Sequence, residues 1–323
     1  MKKILTLALC LTTVMSAVLV GCGTTEATVK FGAGVYTSAP SVTDATEDKD
    51  GSGKIDVTVA AVTVDAAGKI VACQLDTASN TVNFTADGKA VANGEFKTKY
   101  EMGADYNMVA YGGAVKEWFE QADAFEAIVA GKTLDEVKAL VAEGNKGTEE
   151  VITAGCTVMI NEFVGAIEKA YNAAAAEVSA DAALKVSVAT EQTLTDATED
   201  KDGSNKVAIN VFAAASDADG KVLAASSDCV EVTFTFDMTG TSTLDTAKAV
   251  VSKREQGAGY GMVAYGGAAK EWFEQADAFD AACIGKTASE IAGLQAEDGH
   301  GTADLQTAGC TIYVTGFVKA ATK

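Results

Sequence analysis

Eighteen consecutive residues, Met108–Phe125 (MVAYGGAVKEWFEQADAF), recur at Met262–Phe279 with one substitution, Val115 against Ala269. So long an echo, in a chain whose halves otherwise diverge, points to a two-copy architecture. A second identical pair supports it: Thr43–Ser52 and Thr195–Ser204 both read TDATEDKDGS. In each copy the long echo reads as a Tyr-Gly-Gly-Ala turn feeding an amphipathic helix. Val115, Trp118, Phe119, Ala122 and Phe125 follow one apolar face, while Lys116, Glu117, Glu120 and Asp123 fall largely on the other. The expectation is a function carried out twice.

Local chemistry around these echoes outlines an α+β chain of two tandem modules, each a small antiparallel sheet with helices packed on one face. Lys54–Val64 and Lys206–Ala214 are rich in Val, Ile and Ala and read as strands. Asp65–Gly68 and Asp217–Gly220 supply hairpin turns into partner strands at Lys69–Leu75 and Lys221–Ala225. Further strands are expected at Thr81–Thr85 and Glu231–Phe236. The repeated helix should stop at Gly131 or Gly285. Thr133 with Glu136, and Thr287 with Glu290, form capping boxes for a short second helix. A last helix begins near Asn161 or Thr315. The expected division is a leader over residues 1–21, a lipidated start and tether over 22–42, modules over 43–172 and 184–323, and an Ala-rich connector over 173–183.

The leader follows from Lys2 and Lys3, the apolar run Ile4–Val20, and Leu19-Val20-Gly21 before Cys22. A cysteine directly after Leu-x-Gly resembles the lipobox of bacterial lipoproteins, which makes Cys22 the expected lipidation site and the membrane the expected partner. Cys10 does not fit, because Leu9 is too large for the position before a cut. Removing Lys2 and Lys3 takes the net charge from −20 to −22. Such a surface repels phosphate backbones, so nucleic acid is excluded as a partner. His300 is the only histidine and lies in the second copy, which rules out a shared histidine triad or histidine-ligated zinc. Beyond Cys22 the expected mature chain has five cysteines, an odd number with no CxxC, which is not a disulfide framework.

Asp48–Asp56 resembles the front of an EF-hand loop. The twelfth position, which needs a bidentate Glu, is Val59 in one copy and Val211 in the other, so a polar turn before a strand is the reading. Gly131-Lys132-Thr133 lacks the earlier glycine of a phosphate loop, since Glu126 stands there. Trp118 and Trp272 read as core anchors. Tyr111, Gly112 and Gly113, with Tyr265 in the second copy, offer an aromatic beside backbone that a flat ligand can approach closely, or a simple tight turn. The sharpest candidates are Thr153–Thr157 and Thr307–Thr311, both Thr-Ala-Gly-Cys-Thr. Here Gly155 and Gly309 leave backbone amides beside a thiol (Cys156, Cys310) and a hydroxyl (Thr157, Thr311). A close-packed turn with Cys as a small hydrophobe explains the same residues.

The order of these parts resembles the FMN-binding domain family of sodium-pumping and ferredoxin-linked reductase subunits and flavinylated surface lipoproteins. Ala67-Gly68-Lys69-Ile70 and Asp219-Gly220-Lys221-Val222 resemble the family's first turn. Lys99–Gly103 and Lys253–Gly257 sit where its glycine-containing segment belongs, and Glu150–Thr157 and Asp304–Thr311 where its attachment motif belongs. Counted from Glu150 or Asp304, the family's acceptor hydroxyl falls on Cys156 or Cys310. Thr157 and Thr311 are the residues able to form the phosphate ester. The resemblance implies FMN as cofactor, with Gly103, Gly257, Tyr111 and Tyr265 near it, and redox partners at the membrane. A flavin supplies one- and two-electron chemistry that these side chains lack. A tether keeps it from dilution outside the cell. The resulting expectation is a lipid-anchored electron carrier rather than a catalyst. The alternative is a cofactor-free surface module binding a wall polymer, peptide or partner protein through two repeats. A thiol-based redox role for Cys156 and Cys310 requires lowered thiol pKa values.

Overall fold

The computed structural model describes residues 27–323. The expected leader and the Cys22 lipidation site lie outside them. The first repeat forms strands β1 (Thr28–Thr37), β2 (Ser41–Thr43), β3 (Gly51–Val64), β4 (Ile70–Phe84) and β5 (Ala90–Val91). Helices α1 (Lys99–Met102), α2 (Trp118–Val129), α3 (Leu134–Lys138), α4 (Glu149–Ala154) and α5 (Asn161–Asn172) follow. A short strand β6 (Ala176–Ser179) leads into the second repeat, built from β7 (Ala183–Thr195), β8 (Gly203–Ser216) and β9 (Val222–Phe236). Its helices are α6 (Lys253–Gln256), α7 (Trp272–Cys283), α8 (Ala288–Ile291), α9 (Ala303–Thr307) and α10 (Thr315–Ala321).

The fold is α+β with two antiparallel sheets. One runs β5-β4-β3-β1-β6 with β2 on β3, the other β7-β8-β9. Each long hairpin turns on one aspartate. Asp65 Oδ1 accepts the N–H groups of Ala67 (2.9 Å) and Lys69 (2.8 Å). Asp217 does the same for Asp219 and Lys221 at 2.9 Å each. Both α3 and α8 start on the expected threonine–glutamate capping boxes.

Four features differ from the sequence expectations. The paired strands expected at Lys69–Leu75 and Thr81–Thr85 are one 15-residue strand, β4, and β9 is likewise continuous. Polar residues midway conceal this, but Asp76 and Thr77 find hydrogen-bond partners in the folded chain. The Asp76 carboxylate accepts the Thr77 and Tyr100 N–H groups, and the Thr77 hydroxyl pairs with that of Thr58 at 2.9 Å. The segment expected as tether contains β1 and β2, and the connector contains β6, which pairs with β1. The first sheet therefore begins before Thr43. Finally, the repeated helix starts at Trp118, not Val115, because Glu117 and Glu120 close a capping box there. Val115 is 96% exposed and belongs to no apolar face.

Both faces of each sheet are buried, which explains why β3 and β8 lack a clean alternation of polar and apolar residues. Ala60, Val62 and Val64 of β3 face Trp118, Phe125, Phe163 and Ile167 of the helices. Ile55, Val57 and Val59 face the other way, onto Val207, Ile209, Val211 and Phe234 of the second sheet. The chain is thus four layers, helices–sheet–sheet–helices. Gly34 of β1 lies so close to α5 that an added Cβ would collide with the Ala166 and Ala170 backbone.

The two repeats exchange matched contacts across the inner layer. Ala45 N–H donates to Gly240 O and Ala197 N–H to Gly88 O, both at 2.8 Å. Asp44 accepts from Ser242 N–H (2.8 Å), and Asp196 from Ala90 N–H (2.9 Å). Phe84 stacks on its counterpart Phe236 at 4.6 Å. Lys169 pairs with Glu255 and Lys323 with Glu101. The TDATEDKDGS segments, which resemble a cation loop in sequence, act here as reciprocal locks between repeats.

This shared inner layer sets a stability prediction. The chain should unfold in one cooperative transition, and Ile209→Ala should shift that transition by about 2–5 kcal/mol without splitting it. Calorimetry checks this. Two resolved transitions would mean that the repeats fold independently.

Buried and half-buried acids brace helix to strand. Glu126 of α2 accepts Leu75 N–H at 2.6 Å, and Asp280 of α7 accepts Ser227 N–H at 3.0 Å. Burial, with Asp123 and Asp76 nearby, pushes Glu126 from 4.5 up to about 8. Burial also lifts Asp76 and Asp280 from 3.8 to about 6. Between its ordinary and its raised pKa each acid binds more proton folded than unfolded, so stability falls as pH rises through that interval. The thermal midpoint should drop between pH 5 and pH 8. Glu126→Gln keeps an acceptor for Leu75 N–H and should flatten that drop, raising the midpoint most at pH 8. Parallel profiles for variant and parent would refute the assignment.

Candidate functional site

The Thr-Ala-Gly-Cys-Thr turn is built by the repeated helix. Helix α4 ends at Gly155 in the left-handed region (φ 106°), and Gly309 follows α9 in the same conformation (φ 105°). The reversal sends the next two side chains in opposite directions. Cys156 and Cys310 turn inward and are fully buried, while Thr157 and Thr311 stay at the surface.

Each threonine is held by one glutamine of the helix core. Gln121 Oε1 accepts from Thr157 N–H (2.8 Å) and from its hydroxyl (3.0 Å), while Gln121 Nε2 donates to Lys116 O. Gln275 repeats the pattern on Thr311 at 2.8 and 2.9 Å. Lys116 Nζ donates to Ala154 O at 3.2 Å and Lys270 Nζ to Ala308 O at 3.3 Å, which sets a cation against each turn. Sequence reasoning missed Gln121 and Gln275. Their signal was a polar residue one turn along from Trp118 or Trp272, on the apolar face.

The thiols do not fit a chemical role. Burial pushes Cys156 and Cys310 up to about 11, and the nearby Lys116 or Lys270 charge does not offset it. Buried sulfurs with raised pKa values are poor nucleophiles and poor attachment points. In the folded protein both cysteines should resist iodoacetamide at pH 8 and react after denaturation. Fast labelling of either in the native state would contradict their burial.

The remaining expected residues lie apart from the turn. Glu117 accepts Met108 N–H (2.9 Å) and Val109 N–H (3.2 Å), and Glu271 does the same for Met262 and Val263. These bonds hold a loop that projects Tyr111 and Tyr265 into solvent, at 88% and 92% exposure. Gly103 and Gly257 end the one-turn helices α1 and α6 with φ 52° and 54°, and open space surrounds both.

Beside Thr311 the second repeat contains a cavity of about 450 Å³. Its walls include Tyr260, Met262, Trp272, His300, Thr311 and Tyr313. Of the residues expected from sequence, Thr311 lines it. The His300 ring lies 4.0 Å from that of Tyr313, and His300 Nδ1 is 3.2 Å from Asp298. Lys253 Nζ sits 4.9 Å from the Tyr260 ring centre and 5.5 Å from that of Trp272, and Glu231 pairs with it at 3.0 Å. Aromatic walls and a paired cation suit a flat, polar-edged ligand. The chain matches no protein-family model, no curated protein and no solved structure.

Proposed function

We propose that the protein is a lipid-anchored, extracytoplasmic electron-transfer protein that binds FMN at the Thr311 turn, with Cys22 as its lipidated residue. The observation that carries this reading is the coincidence of Thr311 with an aromatic-walled cavity of about 450 Å³. That volume lies within the usual range for small-molecule sites, roughly 300–1,000 Å³. The residues fit the group. Trp272, Tyr260 and Tyr313 offer faces for a ring system, and Lys270 beside the turn offsets the charge of a phosphate. Gln275 holds the Thr311 hydroxyl in one orientation. Thr157, on the matching turn, is the corresponding hydroxyl of the first repeat. Bound flavin supplies reversible electron uptake; the chain's own groups bind it, orient it and keep it at the membrane.

The test is protein from the native host, separated on a denaturing gel and viewed under ultraviolet light, then digested for mass spectrometry. Flavin fluorescence and an FMN adduct on the peptide containing Thr311 are expected for covalent attachment. A colourless protein with no visible flavin absorption would overturn the reading.

One observation favours a second reading, a cofactor-free surface module. Tyr111 and Tyr265 lie in identical loops yet are almost wholly exposed, so packing does not account for their identity. That reading expects a colourless protein whose retention on a wall polymer or partner is lost in Tyr111→Ala with Tyr265→Ala.

A further inference from the structure

We infer that the two repeats are not equivalent ligand sites: the cavity beside Thr311 takes one flat aromatic heterocycle, while the matching space in the first repeat is closed by Glu162. This rests on the flavin reading only for the class of ring.

The closure is visible residue by residue. Glu162 stands in the first turn of α5, and Gly316 takes its place in α10. The Glu162 carboxylate accepts from the Thr58 hydroxyl at 3.3 Å, across the gap between helix and sheet. At the position of Thr58 the second repeat has Asn210, whose Nδ2 donates to Ala189 O and Ala208 O. An added Cβ on Gly316 would collide with the Asn210 amide, so the Asn–Gly pair excludes a side chain where the Thr–Glu pair inserts one. Both Asn210 and Gly316 line the cavity.

The charges move in step. Lys99 and Lys253 occupy corresponding places, each over a tyrosine and a tryptophan ring. A largely buried ammonium needs a carboxylate partner. In the second repeat that partner is Glu231 on β9, which also takes Lys206 at 3.1 Å. Ser79 stands in the corresponding place on β4. In the first repeat Lys54 pairs with Asp56 instead, and the carboxylate near Lys99 comes from the helix: burial and the Asp56 charge raise the Glu162 pKa, against the opposing charge of Lys99. With its carboxylate on the strand rather than the helix, the second repeat pairs Lys253 and clears the space between. The outer wall differs as well, since Lys146 and Met159 replace the adjoining rings of His300 and Tyr313.

Titration of the full, flavin-free chain with lumiflavin, the ring without ribityl or phosphate, followed by fluorescence quenching, tests this. One lumiflavin per chain is expected. Asn210→Thr with Gly316→Glu, which copies the first repeat, should weaken binding at least tenfold. Tyr313→Ala, at an exposed position that folding tolerates, should weaken it about tenfold and serves if the double variant does not fold. Glu162→Gln should leave binding unchanged. Two lumiflavins per chain, none, or full binding by Tyr313→Ala would overturn the inference. Failure of the FMN reading is distinct: lumiflavin would bind once per chain while native protein carried no flavin.

Discussion

Face-to-face burial of the two sheets is the constraint on which the rest depends. An antiparallel sheet with helices on one side still has a second face to bury, and here each repeat buries it against the other. Val57, Val59, Ile209 and Val211 are fully or almost fully withdrawn from water in that inner layer. The matched contacts around it, Asp44 with Ser242 and Asp196 with Ala90, have the logic of an isologous dimer interface drawn into one chain. The TDATEDKDGS segments supply the matching acceptors Asp44 and Asp196 on the two sides.

The same logic sorts the other repeated segments by what holds them. Trp118, Ala122 and Phe125 are repeated because each copy needs a helix to cover its outer sheet face. Gln121 and Gln275 belong with the downstream turn, which they tie to the helix through both threonine bonds. Helix, turn and lysine thus form one rigid unit per repeat. The Tyr111 and Tyr265 side chains are repeated although both project almost wholly into solvent. By contrast, Glu162 against Gly316 and Ser79 against Glu231 fall where the repeats differ, around the space that distinguishes them.

Much of the fold was legible where the chemistry is local. Hairpin aspartates, capping-box threonines and the glycines after the helices act within a few residues, so their sequence signal is complete. The strand middles were not legible. Asp76, Thr77 and Asn80 look like a break in β4, and only Tyr100 of α1, Thr58 of β3 and Thr190 of β7 bring partners to Asp76, Thr77 and the Asn80 carbonyl. Val115 misled for the opposite reason: it fits the helical period, but the Glu117–Glu120 box starts the helix after it. At the site, the sequence sets Thr157 and Thr311 beside Cys156 and Cys310, and the fold sends the threonines to the surface and the cysteines into the core, whereas Tyr111, Tyr265, Gly103 and Gly257 are linked to them by order alone. The cavity's other walls, His300 and Tyr313, have no motif.

By itself the sequence determined a two-copy α+β chain, its hairpins, its capped helices and the turn that carries Thr157 and Thr311. Each of these depends on residues a few positions apart. The tertiary structure decided that the copies share a core, that the cysteines are buried and the tyrosines exposed, and that one repeat is open beside its threonine while the other is filled. Those outcomes depend on which side chains meet across the sheets, and a difference as small as Glu162 against Gly316 has meaning only once Thr58 and Asn210 lie opposite.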